Sequence, residues 1–365
     1  MCRNSIRYTC VLIVVVMIAF VTSGISAPQT DLRQRARQAF NEGRYADADR
    51  DLRLALADFE KAGRSLDIVE TLGDMASVLI AQELYSQAEP LLHRALIIMP
   101  EKASAHARLK ARLLGNLGAL YVQTGRDSDA ASAFQQAVGL LRQYAKDDPH
   151  IVILLSNLGA FHVKNEEYKR ARAEFEKALS IGQLRLPSDH RDLLPVLTNL
   201  AGLYERQKNW TLAESYLLRA ARIAEHALPP AHSERSVLLE HLGVVHYRQE
   251  KMAEAEVELR SALEIANQAV GIESARSVSV SLNLAKVLTA QRRYDEASMV
   301  YARALPIQER LFGSKTPEVA TTLENFAKLL RGMSRVETAR EMESRAKRIR
   351  GELAYTRSVS DLARW

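Results

Sequence analysis

Cysteine is nearly absent: Cys2 and Cys10 are the only two, and both fall in the first ten residues. The rest of the chain therefore has no disulfide framework and no thiolate metal site. No stretch matches the roughly 20 apolar residues that a membrane-spanning helix requires. The apolar run Val11 to Val21 holds eleven residues. The usual marks of catalysis are missing as well. There is no glycine-rich phosphate loop, no His-Glu-x-x-His pair, and no Ser, His and carboxylate set that stands out. His241 and His246 are five residues apart and do not share a helical face. An enzyme is not expected, and no cofactor, catalytic residue or metal ligand is predicted. Basic residues are dispersed and aromatics sit at repeated core positions, so no nucleic-acid footprint is present.

The first 27 residues have a positive start, Arg3 and Arg7, then the short apolar run, then small residues up to Ala27. This order reads as a secretory leader, with plausible cuts after Ser26 or Ala27. An uncleaved N-terminal anchor is the alternative. Export would place a thiol-free body in an oxidising space, periplasmic or extracellular, where a stray thiol is a liability. Loss of the leader removes two of the six net positive charges and leaves a mildly basic chain with no expected membrane span.

One pattern fills the remainder. An alanine column runs Ala48, Ala88, Ala130, Ala171, Ala213, Ala255, Ala297 and Ala339, with a second seven residues on, from Ala55 to Ala346. The spacing settles at 42 residues. Upstream of every alanine but the first stands an apolar-small pair: Met75-Ala76, Leu117-Gly118, Leu158-Gly159, Leu200-Ala201, Leu242-Gly243, Leu284-Ala285 and Phe326-Ala327. Leu194, Leu197, Leu200, Ala201 and Tyr204 show the i, i+3, i+4 spacing of a helix face. Each copy is thus two helices joined by a polar break, and neither buries its stripe alone. Such a period predicts a stacked array. His162 and His246 occupy the slot of Tyr121 and Tyr204, which makes them core substitutes for tyrosine. Glu343, where siblings carry Phe134, Phe175 or Leu217, suggests that the eighth hairpin closes the array. The tail from Gly351 to Trp365 either docks or hangs free. Asn209-Trp210-Thr211 fits the glycosylation pattern, although Trp210 opens a helix.

Leu117-Gly118-Ala119-Leu120-Tyr121 and Ala130-Ala131-Ser132-Ala133-Phe134 resemble the signature of the tetratricopeptide repeat family, and Gly43-Arg44-Tyr45 resembles its turn. The 42-residue period, with the connection Phe312 to Ala320, is similar to the kinesin-light-chain-like subtype. The resemblance implies an all-α, right-handed solenoid of about eight hairpins over 28–350, between a leader at 1–27 and a tail at 351–365.

One residue before each apolar-small pair lies a polar ladder: Asp74, Asn116, Asn157, Asn199, His241, Asn283 and Asn325. Asn has weak helix propensity, so its recurrence at one phase calls for a reason. In the family, first helices line the concave face, and this position resembles the one whose amides hold the main chain of an extended peptide. An amide offers one acceptor and two donors, which suits a peptide group of any sequence. The other reading is that these amides bond to the next hairpin and set the stacking. Lys164, Arg206 and Arg248 stand seven residues after the ladder; Lys286 and Lys328 stand three after it, and Arg331 adds a further cation. These would favour a protein or peptide ligand rich in carboxylates; ordinary solvated charge is the alternative. The expected role is an exported scaffold that binds such a segment. A self-assembling envelope component is the second reading, and oligomeric state is not legible.

Expressed in a secreting host and recovered from the exported fraction, the protein is expected to begin at Ala27 or Pro28. Mass spectrometry of the intact chain checks this; a mass that retains residues 1–27 favours the uncleaved anchor.

Overall fold

The computed structural model describes residues 28–100, 106–145 and 148–362. The expected leader, and Trp365, lie outside the described residues. The chain forms two compact units, one ending at Pro229 and the other starting at Pro230. Among the described residues every regular element is helical.

Unit one pairs α1 (Pro28–Asn41) with α2 (Tyr45–Lys61), α3 (Ser65–Ala81) with α4 (Tyr85–Ile98), and α5 (Ala107–Gln123) with α6 (Asp127–Tyr144). It continues with α7 (His150–Lys164) and α8 (Tyr168–Arg185), then α9 (Leu194–Arg206) and α10 (Trp210–Ala227). Unit two contains α11 (Ser233–Arg248) with α12 (Met252–Val270), α13 (Ala275–Ala290) with α14 (Tyr294–Phe312), and α15 (Pro317–Gly332) with α16 (Val336–Leu362). Within each unit a second helix packs on its own first helix and on the next one, as α12 does on α11 and α13.

The alanine column marks the closest approach. Ala48, Ala88, Ala130, Ala171, Ala213, Ala255, Ala297 and Ala339 are all fully buried. In α8 the buried positions are Ala171, Phe175, Ala178 and Gly182, one side of a helix. Small residues on the first helix receive large ones from the second. A Cβ placed on Gly159 would lie 2.5 Å from the Phe175 ring. Gly118 stands in the same relation to Phe134, at 2.7 Å. The Leu-Gly pair is therefore a packing requirement of the Phe it faces.

All eight hairpin turns share one backbone device. The residue in the turn takes a positive φ: Gly43, Glu83, Gly125, Glu166, Lys208, Glu250, Arg292 and Ser334. The next amide then donates back to the fifth carbonyl before it, as Glu167 N does to His162 O at 2.8 Å and Arg293 N to Leu288 O at 2.9 Å. This is the Schellman closure of a helix C-terminus. Six of these positions carry a side chain in a region that suits glycine, which costs each about 1–2 kcal/mol.

α16 does not stop at the expected boundary near residue 350. It runs unbroken to Leu362, Leu353 packs against the core of unit two, and Glu352 pairs with Lys315 at 2.9 Å. The start of the tail is thus the end of the last helix. Glu343 occupies its stacking slot half-buried, held by two 2.7 Å bonds from Arg331. Arg340, Glu341, Lys347 and Arg348 lie exposed along α16, as suits a hairpin that closes an array.

Gly159→Val is expected to destabilise the protein by roughly 1–3 kcal/mol, the range for overpacking a filled core. Chemical denaturation checks it. In a Phe175→Ala background, Gly159→Val should cost less than it does in the wild type if the Phe175 ring is the obstacle.

Candidate functional site

The first helices of the two units differ in how they are enclosed. In unit one, residues 71–80 of α3, 111–120 of α5 and 151–161 of α7 are buried without a break. A helix buried around its whole circumference presents no face to a guest. In unit two, buried positions alternate with half-buried ones along α11 and with half-buried or exposed ones along α13 and α15, so one side of each is only partly covered.

The ladder divides accordingly. Asn116 and Asn157 are 1% exposed, and Asn199 is 8%. Asn116 Nδ2 donates to Ser77 Oγ at 2.8 Å, and Asn199 Nδ2 to Ser156 Oγ at 3.1 Å. Each bond ties one first helix to the first helix before it. Asp74 is fully buried and accepts from Arg33 Nη2 at 3.0 Å and Arg112 Nη1 at 2.5 Å. Arg33 also reaches Glu70 at 2.7 Å. Asp74, Asn116 and Asn199 thus bond between repeats. His241, Asn283 and Asn325 are only half-buried.

The cations separate too. Lys164 is exposed, but its amine donates back to Val122 O and to Asp127, both at 2.8 Å. Arg206 and Lys328 are exposed. Arg331 is engaged by Glu343. Arg248 and Lys286 are half-buried. Lys286 donates to Asn283 Oδ1 at 2.9 Å. Burial, helped by repulsion from Arg248 and opposed by Glu240, pushes the Lys286 amine down to about 8. Burial also lowers Arg248.

Glu240 is the residue that sequence reasoning missed. It is 7% exposed on α11, one place before His241. Three donors from α13 converge on its carboxylate: Arg276 at 3.1 Å, Ser279 at 2.6 Å and Asn283 at 2.8 Å. Its slot holds Ser156 and Thr198 in two sibling repeats but an exposed Glu324 in the last, so register comparison alone does not single it out; its burial does.

His162 and His246 do sit within hairpins at the tyrosine slot. His162 Nδ1 lies 2.6 Å from Glu167, and His246 Nδ1 lies 2.7 Å from Glu258. Asn209 caps α10 by accepting from Leu212 N at 3.2 Å. Among the described residues, no group of three or more His, Cys, Asp or Glu could hold a metal, and no helix is long and apolar enough to cross a membrane.

A family model described as tetratricopeptide repeat matches residues 67–143, 150–226, 192–268 and 276–352, well over half of the chain. A comparison with curated proteins finds no match. Among solved structures, BtubC (BKLC) from P. vanneervenii is 24% identical, covers 62% of this chain and 92% of its own, and has a TM-score of 0.53. A Rap protein complexed with competence and sporulation factor is 14% identical, covers 90% and 99%, and has a TM-score of 0.57. A putative kinesin light chain with TPR-like repeats from Podosopora anserina is 18% identical, covers 56% and 98%, and has a TM-score of 0.49. At these identities the structures show the fold alone. The family match over more than half of the chain, with the regular 42-residue hairpins, makes this chain a member of the tetratricopeptide repeat family and a scaffold suited to protein–protein interaction.

Proposed function

We propose that the chain is an exported scaffold that binds an extended, acidic protein segment on the first-helix face of its second unit. The observation that carries this reading is the pairing of openness with charge on α11, α13 and α15. These helices carry Lys328, which is exposed, and Arg248, Lys286, Asn283 and Asn325, which are half-buried. Carboxylates on a guest would bond these cations directly, and the amides would take main-chain groups. The Rap structure is a complex with competence and sporulation factor, a precedent for a chain of this fold holding a partner.

Lys286 supports the reading on energetic grounds. Its amine ordinarily titrates near 10.5 and here near 8, so its charge is unfavourable in the guest-free protein. A residue that lowers stability at a half-buried site fits a position kept for binding. A guest carboxylate would add a second counter-charge to that of Glu240. Export rests on the sequence of residues 1–27.

Two outcomes are expected. A random peptide library selected on the mature protein should enrich Asp and Glu, and the enriched peptides should bind the Arg248→Gln, Lys286→Gln double variant at least tenfold more weakly. Equal affinity with unchanged helicity contradicts the proposed face. Separately, Lys286→Met should raise stability at pH 7 by about 1–3 kcal/mol. The sign follows from proton counting: between pH 8 and 10.5 the unfolded chain holds the Lys286 proton and the folded chain does not. Wild-type stability therefore gains on the variant as pH rises through that window, and the difference should shrink. Urea denaturation at pH 7, 9 and 10.5 checks it.

A further inference from the structure

The slot of Glu240 shows what is unusual about it. Asn199 donates to Ser156, and Asn283 donates to Glu240, across the same separation of 43 residues. The two bonds are one architectural element, made once with a neutral hydroxyl and once with a carboxylate. A hydroxyl is sufficient to hold the amide, so the stacking does not require a charge. A buried carboxylate loses hydration and needs several donors in return. Glu240 has them from Arg276, Ser279 and Asn283, all on α13.

Those donors lie on the helix that also carries Lys286, and Lys286 bonds the same Asn283 that bonds Glu240. The chain from Glu240 through Asn283 to Lys286 joins an internal carboxylate to the proposed site. An acidic guest brings a second carboxylate into this neighbourhood. At low local dielectric, two like charges within several ångströms repel appreciably. The internal acid also occupies polar groups of α13 that an incoming acid could use.

We infer that Glu240 is an internal stand-in for an acidic guest, a specificity-determining residue whose charge weakens binding of acidic segments and so restricts the site to the most acidic ones. The inference rests on the binding face proposed above. Glu240 is not a ligand contact in this scheme; it acts through Asn283 and through its field. Its role as a structural partner of Arg276 is the competing explanation, and it makes a different forecast. A purely structural Glu240, once replaced, would loosen unit two and weaken all guests alike.

The test uses two replacements in the full mature chain. Glu240→Ser installs the residue of the sibling slot, and Glu240→Gln keeps the shape while removing the charge. The probes are two synthetic 15-residue peptides, one with six Asp or Glu and one with the same residues as Asn or Gln. Binding is measured by titration calorimetry at low and high salt, with circular dichroism as the fold control. At low salt both variants should bind the acidic peptide about tenfold more tightly than wild type, a gain that high salt erases. The neutral peptide should be unaffected. If both variants leave the acidic peptide unchanged or weaken both peptides, the inference is overturned. The Arg248→Gln, Lys286→Gln variant separates this from failure of the binding face. Loss of acidic binding there, with no gain at Glu240, sinks only the inference. No preference for the acidic peptide in wild type or in any variant sinks both.

Discussion

The close approach of helices at the alanine column is the constraint on which the rest depends. Fully buried alanines from Ala48 to Ala339 bring each second helix against its first, and large side chains four residues on, such as Phe134, Phe175 and Leu259, fill the gap left by a glycine opposite. The arrangement closes geometrically only if each hairpin turns at the same point. That is why eight turns share a positive φ, although only Gly43 and Gly125 avoid its steric cost. Local strain of this size is tolerable because every turn is held by the packing of two helices rather than by its own preference.

Stacking leaves polar groups between repeats, and the two units settle them differently. In unit one, Asp74 with Arg33 and Arg112, Asn116 with Ser77, and Asn199 with Ser156 are buried bonds that link neighbouring first helices. Buried polar pairs add little net stability but penalise a wrong register, because a slipped repeat leaves donors and acceptors unmet. In unit two the corresponding residues, His241, Asn283 and Asn325, remain partly open. One repeat position thus serves as mortar in unit one, and in unit two, where Asn283 still bonds Glu240 on the preceding first helix, as mortar and candidate binding surface together.

Most of the fold was legible because its determinants are periodic. The Ala columns, the Leu-Gly pairs and the breaks between helices each recur at 42 residues, and periodicity survives without any knowledge of contacts. The helical end of α16 was less legible, since Gly351 looks like a stop while Leu353 continues the core stripe. The candidate site was half legible. Ladder phase picks out Asn116 and Asn283 equally, yet one is enclosed and the other is not. That difference comes from what surrounds a helix, which no single helix encodes. The apolar run Ile151 to Leu155 in α7 is the local hint of full enclosure. Lys164 shows the same limit: a cation placed at the right phase turned back to Asp127 instead. Glu240 escaped notice because a lone acid in a helix ordinarily reads as surface.

The account's central claim is that a guest chain is received by the first helices of unit two. Hydrogen exchange of the mature protein, with and without an acidic peptide recovered by selection, tests it most directly. Added protection confined to α11, α13 and α15, with α3, α5 and α7 unchanged, is the predicted result. Protection centred on the second helices α12 and α14, or on unit one, would contradict it.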